Sequence, residues 1–66
     1  MNRSDIRFVS SVLRYELNRY RGSLKYYRDG DGASKSSAAD SIAFIEGRIQ
    51  ELTDALEALQ EAKTSA

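Results

Sequence analysis

The fold is decided by residues 38–59, which read AADSIAFIEGRIQELTDALEAL. Apolar side chains recur in this stretch at alternating intervals of four and three residues, and we call them the second seam. They are Ala38, Ile42, Ile45, Ile49, Leu52, Leu56 and Leu59. This heptad spacing, typical of coiled coils, lines one side of an α-helix with apolar side chains. Residues 38–59 therefore predict a helix whose apolar side must pack against another element.

The N-terminal part of the chain has a comparable pattern, which we call the first seam. Its members are Ile6, Val9, Leu13, Leu17, Tyr20, Leu24 and Tyr27. The intervals are again three and four residues, except that two fours follow one another between Val9 and Leu17. Such a stutter locally unwinds a coiled coil but leaves the apolar stripe on one face of the helix. A first helix is therefore predicted, antiparallel to the second if the connection is short.

The connection between the two helices is marked by residues 29–34, which read DGDGAS, and the chain contains no proline. Asp-Gly pairs favour turns, and we expect a flexible turn there whose residues tolerate the left-handed conformation. Asn2 or Ser4 is suited to cap the first helix, because either side chain can accept a hydrogen bond from a free N–H group of the first turn. Ser36 or Ser37 is suited to begin the second helix.

The sequence thus predicts an all-α fold, an antiparallel two-helix hairpin. We expect one domain over residues 1–66, with a helix at about 4–28, a loop at about 29–36 and a helix at about 37–63. A chain of 66 residues builds a small core and usually needs a further constraint. Disulfides and Cys/His zinc sites are excluded because the chain has neither Cys nor His. Oligomerisation is the constraint that remains.

The charge and hydropathy patterns predict a cytoplasmic protein. The longest apolar run, residues 42–45, is far shorter than the roughly 18 residues of a membrane-spanning helix. Polar residues at 2–5 and 7 leave no room for the apolar region of a secretion signal. The net charge is zero, but residues 1–28 carry seven Lys/Arg and two Asp/Glu, whereas residues 36–66 carry two Lys/Arg and six Asp/Glu. The first helix is therefore basic and the second acidic.

A second apolar surface is predicted beside the seams, and we call it the apolar face. Each helix has apolar residues on one flank of its seam, and antiparallel packing brings these two flanks to the same side of the hairpin. The residues are Phe8, Val12, Tyr15, Tyr26, Phe44, Ala55, Ala58 and Ala62. Large side chains on one helix and alanines on the other suit close helix packing. We expect self-association there, most simply a homodimeric four-helix bundle. The alternative is a monomer with scattered exposed apolar side chains, which are common on soluble proteins.

The opposite flank of the first helix carries the basic stripe. It consists of Arg3, Arg7, Arg14, Arg21, Lys25 and Arg28, close to Tyr20, Tyr26 and Tyr27. Cations spaced one or two turns apart can contact phosphates, and tyrosine rings can stack on unpaired bases. The alternative is neutralisation by the second helix. In that arrangement Arg7 lies opposite Glu57, Arg3 near Glu61 and Arg21 near Glu46.

No cofactor or metal is expected. Residues 29–40 place acids at three positions of a calcium-binding loop, but Ala33 and Ser34 stand where a ligand and an obligatory glycine belong. Catalysis is not expected either, because the chain lacks His and Cys and a two-helix chain offers no evident pocket to shift the pKa of its other groups. Gly22 and Gly47 interrupt the predicted helices, and a partner that approaches the backbone would account for Gly22.

These patterns favour a non-enzymatic helical interaction protein. We expect a homo-oligomer that also binds a protein partner as an adaptor, inhibitor or regulator, as small phage proteins often do, with no membrane association. The alternative is an RNA- or DNA-binding regulator that uses the Arg/Tyr stripe of the first helix.

Overall fold

The computed structural model describes residues 2–65, without the side chain of Ser65. These residues form two α-helices, α1 at Arg3–Asp29 and α2 at Ala38–Ser65, joined by a short 3₁₀ helix at Asp31–Ser34. The predicted all-α helical hairpin is confirmed. Met1 and Ala66, the ends of the predicted domain, lie outside the described residues.

Helix α1 is capped at both ends. The Oδ1 atom of Asn2 accepts a hydrogen bond from the Asp5 N–H at 2.9 Å, so Asn2 rather than Ser4 is the N-cap. At the other end the Gly30 N–H donates to the carbonyls of Lys25 and Tyr26, at 3.2 and 3.1 Å. These bonds satisfy carbonyl groups that the last turn of a helix would otherwise leave without a partner.

The connection differs from the predicted turn. None of the glycines in residues 2–65 has a positive φ, so the turn does not use the left-handed conformation that its Asp-Gly residues tolerate. The chain instead reverses through the 3₁₀ helix, in which Ala33 and Lys35 donate their N–H groups to the carbonyls of Gly30 and Gly32. The Ala38 N–H then donates to the Lys35 carbonyl at 3.0 Å, where α2 begins.

Two tyrosines give the physical reason for this turn. The rings of Tyr26 and Tyr27 meet edge to face, with centroids 5.0 Å apart, and they cover the buried Gly32. A Cβ atom added to Gly32 would lie 2.5 Å from the ring of Tyr26 and 2.9 Å from that of Tyr27. The Lys35 ammonium lies 5.4 Å from the Tyr26 centroid, a cation–π distance. Glycine is therefore needed at position 32 for space and not for its backbone conformation.

The two seams face each other and form the core. Every seam residue is buried or half-buried, and the fully buried ones are Ile6, Leu17, Ala38, Ile45 and Leu52. In α2 they recur every seven residues, whereas in α1 they are eleven residues apart, the spacing that the stutter produces. The stutter therefore keeps α1 in contact with α2.

This core is thin. The hairpin measures 47 × 14 × 13 Å and its radius of gyration is 14.8 Å, whereas a compact domain of this length would have about 11 Å. Each seam has a single neighbouring helix, so no side chain described is completely enclosed. Within residues 2–65, neither helix combines the length and the apolar character needed to cross a bilayer.

Candidate interaction surfaces

The apolar face is open to solvent. Within the described residues, the large apolar side chains that remain exposed are Phe8 (71%), Val12 (47%), Tyr15 (65%), Tyr26 (40%) and Phe44 (63%). All five belong to the predicted apolar face. Of its alanines, Ala58 and Ala62 are exposed and Ala55 is half-buried. Packing of the seams alone therefore leaves a second, uncovered apolar surface on one side of the hairpin.

A groove of about 390 Å³ lies between the helices on this side, near the turn. Its lining residues are Tyr20, Ser23 and Tyr27 from α1, and Asp40, Ser41, Phe44 and Ile45 from α2. The Arg48 guanidinium stands 5.8 Å from the Tyr20 ring centroid and 2.6 Å from the Glu51 carboxylate. Hydrogen bonding to Tyr20 and the charge of Glu51 raise the pKa of Arg48, so this cation is permanent. No sequence pattern predicted the Tyr20–Arg48 contact, because the contact depends on how the two helices are aligned along their length.

The basic stripe lies on the other side of the hairpin, and all six of its residues are exposed. Arg28 forms the ion pair between the helices, with its Nη2 atom 2.7 Å from Oε2 of Glu46. Both side chains are half-exposed, so the pair contributes at most about 1 kcal/mol.

The predicted pairing of Arg21 with Glu46 was wrong. Arg28 follows Arg21 by seven residues, and an α-helix drifts by about 20° per heptad, which turns Arg28 further toward α2. Nor does the structure place Arg7 in an ion pair with Glu57. Between residues 2 and 65, Arg28 is the member of the stripe that has an acidic partner, and Arg3 and Glu61 form no ion pair.

A second groove, of about 250 Å³, runs beside the basic stripe. It is lined by Ser10, Arg14, Leu17 and Arg21 from α1, and by Thr53, Leu56, Glu57 and Gln60 from α2. The Thr53 hydroxyl donates to the Ile49 carbonyl at 2.8 Å, so its proton is already engaged. Arg14 and Arg21 remain as charged donors on one wall, opposite the Glu57 carboxylate. The groove can therefore accept an anionic group along α1. Ser10 and Gln60 were not predicted, because they lie at the edges of the seams and carry no charge.

Neither groove contains a metal site of the usual kind. Among the described residues, no three Asp or Glu side chains come close enough together to hold a metal ion. Lys35, at the turn, has its pKa raised by hydrogen bonding to Tyr26 and by the charges of Tyr26 and Tyr27. Lys35 is thus a cation near the end of the apolar face.

The chain matches no protein family, no curated protein and no solved structure. Its function therefore has to be inferred from the apolar face and the basic stripe.

Proposed function

We propose that this chain is a non-enzymatic helical interaction protein of the cytoplasm, which self-associates through its apolar face and binds a protein partner as an adaptor, inhibitor or regulator. The exposure of five large apolar side chains on one side of the hairpin carries this proposal. Complete burial of one such side chain contributes roughly 1.5–3 kcal/mol. Small domains without disulfides or metals commonly gain stability by oligomerisation. A hairpin with only five buried apolar residues has the most to gain from it.

The solution mass tests self-association. We expect the wild-type chain to have twice the monomer mass by light scattering, and Phe8→Glu or Val12→Glu to give a poorly folded monomer, because each places a charge in the apolar face. Asn18→Glu is the matched control, since Asn18 is exposed on α1 but outside the apolar face. A wild-type chain that is monomeric and melts sharply when dilute contradicts the proposal.

A protein partner has room on the opposite side. The groove beside the basic stripe stays open when the apolar face is covered, and its Arg14 and Arg21 suit acidic side chains on a partner helix. The Leu17 and Leu56 side chains supply an apolar floor between them.

Nucleic acid is the second candidate, favoured by one observation. Within residues 2–65, five of the six residues of the basic stripe make no ion pair, although α2 is acidic. Cations that make no ion pair can release the counterions of a phosphate backbone. RNA or DNA that contacts all five would be bound by a strongly salt-dependent interaction.

Salt dependence separates the two candidates. Fluorescence anisotropy with a labelled RNA hairpin and a labelled DNA duplex gives the affinity at each salt concentration. Five phosphate contacts predict a loss of affinity of roughly 500-fold between 50 and 200 mM salt. We expect the variant Arg14→Glu, Arg21→Glu to abolish such binding while the mass stays unchanged. No binding of either probe at 50 mM salt eliminates the nucleic-acid candidate.

A further inference from the structure

Each helix carries one stripe of residues on the side of the apolar face, and the two stripes have the same spacing. Each stripe contains the apolar-face residues of its helix and the residues that lie between them. The α1 stripe consists of Phe8, Val12, Tyr15, Arg19, Gly22 and Tyr26. The α2 stripe consists of Phe44, Arg48, Glu51, Ala55, Ala58 and Ala62. Both follow intervals of four, three, four, three and four residues. This is a heptad spacing, which allows each stripe to mesh with another helix.

We propose that a second copy of this chain covers the apolar face, with α1 of each copy packed antiparallel against α2 of the other around a two-fold axis parallel to the helices. The inference rests on the proposed self-association and specifies its geometry. Rotation about such an axis does not change the position of any residue along the length of the bundle. The α1 stripe of one copy then meets the α2 stripe of the other in the register that the helices already have within the hairpin.

Two contacts within the hairpin set this register. The Arg48 guanidinium reaches the Tyr20 ring, which places Arg48 within about one helical turn of Tyr20 along the hairpin, and Arg28 reaches Glu46 from nearer the connection. Extended along both stripes, this alignment places the α1 residues opposite successive α2 residues. The resulting pairs are Phe8 with Ala62, Val12 with Ala58, Tyr15 with Ala55, Arg19 with Glu51, Gly22 with Arg48, and Tyr26 with Phe44.

The paired residues are complementary in size. The three bulky side chains in the first half of the α1 stripe each face an alanine, which permits close approach of the helices. At the other end Tyr26 faces Phe44, and aromatic pairs attract one another at the edges and offset faces of their rings. The long Arg48 side chain faces Gly22, which has no side chain and therefore leaves the most space on the surface of α1. Large residues therefore meet small ones at four of the six levels, the exceptions being Arg19 with Glu51 and Tyr26 with Phe44.

The paired residues are also complementary in charge. Arg19 and Glu51 are the oppositely charged residues that meet near the middle of the stripes. Within each copy they pair with Glu16 and Arg48 of their own helix, at 3.1 and 2.6 Å. Bringing the two pairs together creates a four-membered ion network with alternating signs, which is more favourable than isolated surface pairs.

Gly22 supports a close approach at this position. A Cβ atom added to Gly22 would meet nothing within 4 Å, so packing within the hairpin does not require glycine there. Glycine in a helix interior is less favourable than alanine, because it loses more backbone entropy on folding. A long arginine side chain from a second copy, lying across the Gly22 backbone, accounts for the absence of a side chain.

The other two-fold arrangement is less favourable. An axis perpendicular to the helices would pair α1 with α1 and α2 with α2. The two basic helices would then be adjacent, and Arg48 and Glu51 would face Ala58 and Ala55 with no opposite charge across the interface. The perpendicular arrangement therefore lacks the attraction between Arg19 and Glu51 of different copies and adds repulsion between two basic helices. Pairing a basic helix with an acidic one avoids both penalties.

The area is adequate for a dimer. A flat face as long and wide as the hairpin backbone, 47 by 14 Å, measures roughly 650 Å², and the uneven surface of the side chains increases this area. Each partner of a standard interface contributes about 800 Å². One copy can therefore cover most of the other's apolar face.

The two arrangements differ in where the turns lie, which gives a direct test. A parallel axis places both turns at the same end of the bundle, whereas a perpendicular axis places them at opposite ends, about 47 Å apart. The chain has no Cys, so Ser36→Cys in the exposed turn gives a single site for a nitroxide spin label. Double electron–electron resonance then measures the distance between the two labels.

We expect a distance of about 20–30 Å, the width of a four-helix bundle plus the labels. A distance near 47 Å together with a dimeric mass overturns this geometry but leaves self-association intact. A monomeric mass overturns self-association and this inference with it. The label lies outside both stripes, so it does not disturb the surface under test.

A charge exchange tests the Arg19–Glu51 pair. We expect Arg19→Glu and Glu51→Arg each to raise the dimer Kd about tenfold, and the double variant to recover to within about threefold of wild type. The double variant still breaks the pairs of Arg19 with Glu16 and of Glu51 with Arg48, so recovery of the Kd cannot come from those two pairs. Equal or additive weakening in the double variant contradicts the proposed register.

Discussion

Alanine substitution of the two helical glycines separates a role in the hairpin from a role in the assembly. Gly22 and Gly47 both lie inside helices, and an added Cβ would meet nothing within 4 Å at either position. Alanine is favoured over glycine in a helix by about 0.8–1.0 kcal/mol. Gly47→Ala should therefore raise the melting temperature by roughly 4–8 °C, the shift expected for 1 kcal/mol in a chain of this size.

Gly22→Ala should gain the same helix propensity but weaken the dimer. In the proposed dimer its Cβ meets Arg48 of the second copy at two symmetry-related contacts. Overpacking of about 1 kcal/mol at each of them raises the Kd by roughly 30-fold.

Sedimentation equilibrium of wild type and both variants gives the Kd, and thermal unfolding at several concentrations gives the stability. Gly47→Ala is the matched control, because it changes helix propensity alone. A Kd for Gly22→Ala equal to that of Gly47→Ala would refute the close approach at Gly22.

Three further substitutions probe the hairpin itself by circular dichroism. Gly32→Ala should destabilise the hairpin by about 1–3 kcal/mol, because the new Cβ collides with the rings of Tyr26 and Tyr27. An unchanged melting temperature would show that the rings move aside freely. Ile45→Ala removes a buried seam residue and should lower the stability by about 2–5 kcal/mol, with a loss below 1 kcal/mol contradicting its place in the core. Glu46→Gln breaks the half-exposed pair with Arg28 and should change the stability by less than about 1 kcal/mol, an effect that disappears in 1 M salt, so a salt-independent loss would point to a different role.

The hairpin could be predicted from the sequence because its signal is long and redundant. Seven apolar positions in each helix share one period, so a single unusual residue, such as Tyr20, does not obscure the seam. The exposed apolar side chains were predictable for the same reason, since the angular position of Phe8 or Phe44 relative to its seam follows from helix geometry.

The turn and the ion pair between the helices could not be predicted from local patterns. The Asp-Gly pairs indicated a turn but not its conformation, and the packing of Tyr26 and Tyr27 over Gly32 selects a 3₁₀ turn. The choice of Arg28 over Arg21 as the partner of Glu46 depends on helix drift and on side-chain reach. Both outcomes arise from tertiary contacts, which outweigh residue preferences.

The way the chain reverses bears on how fast it folds. Tyr26, Tyr27 and Gly32 lie close together in sequence, so little chain entropy is lost when their contacts form the turn. Helical chains dominated by such local contacts fold within microseconds to milliseconds. Encounter between separate copies depends on concentration and takes milliseconds to minutes. Expression level, rather than chain closure, would then determine how quickly the mature assembly accumulates.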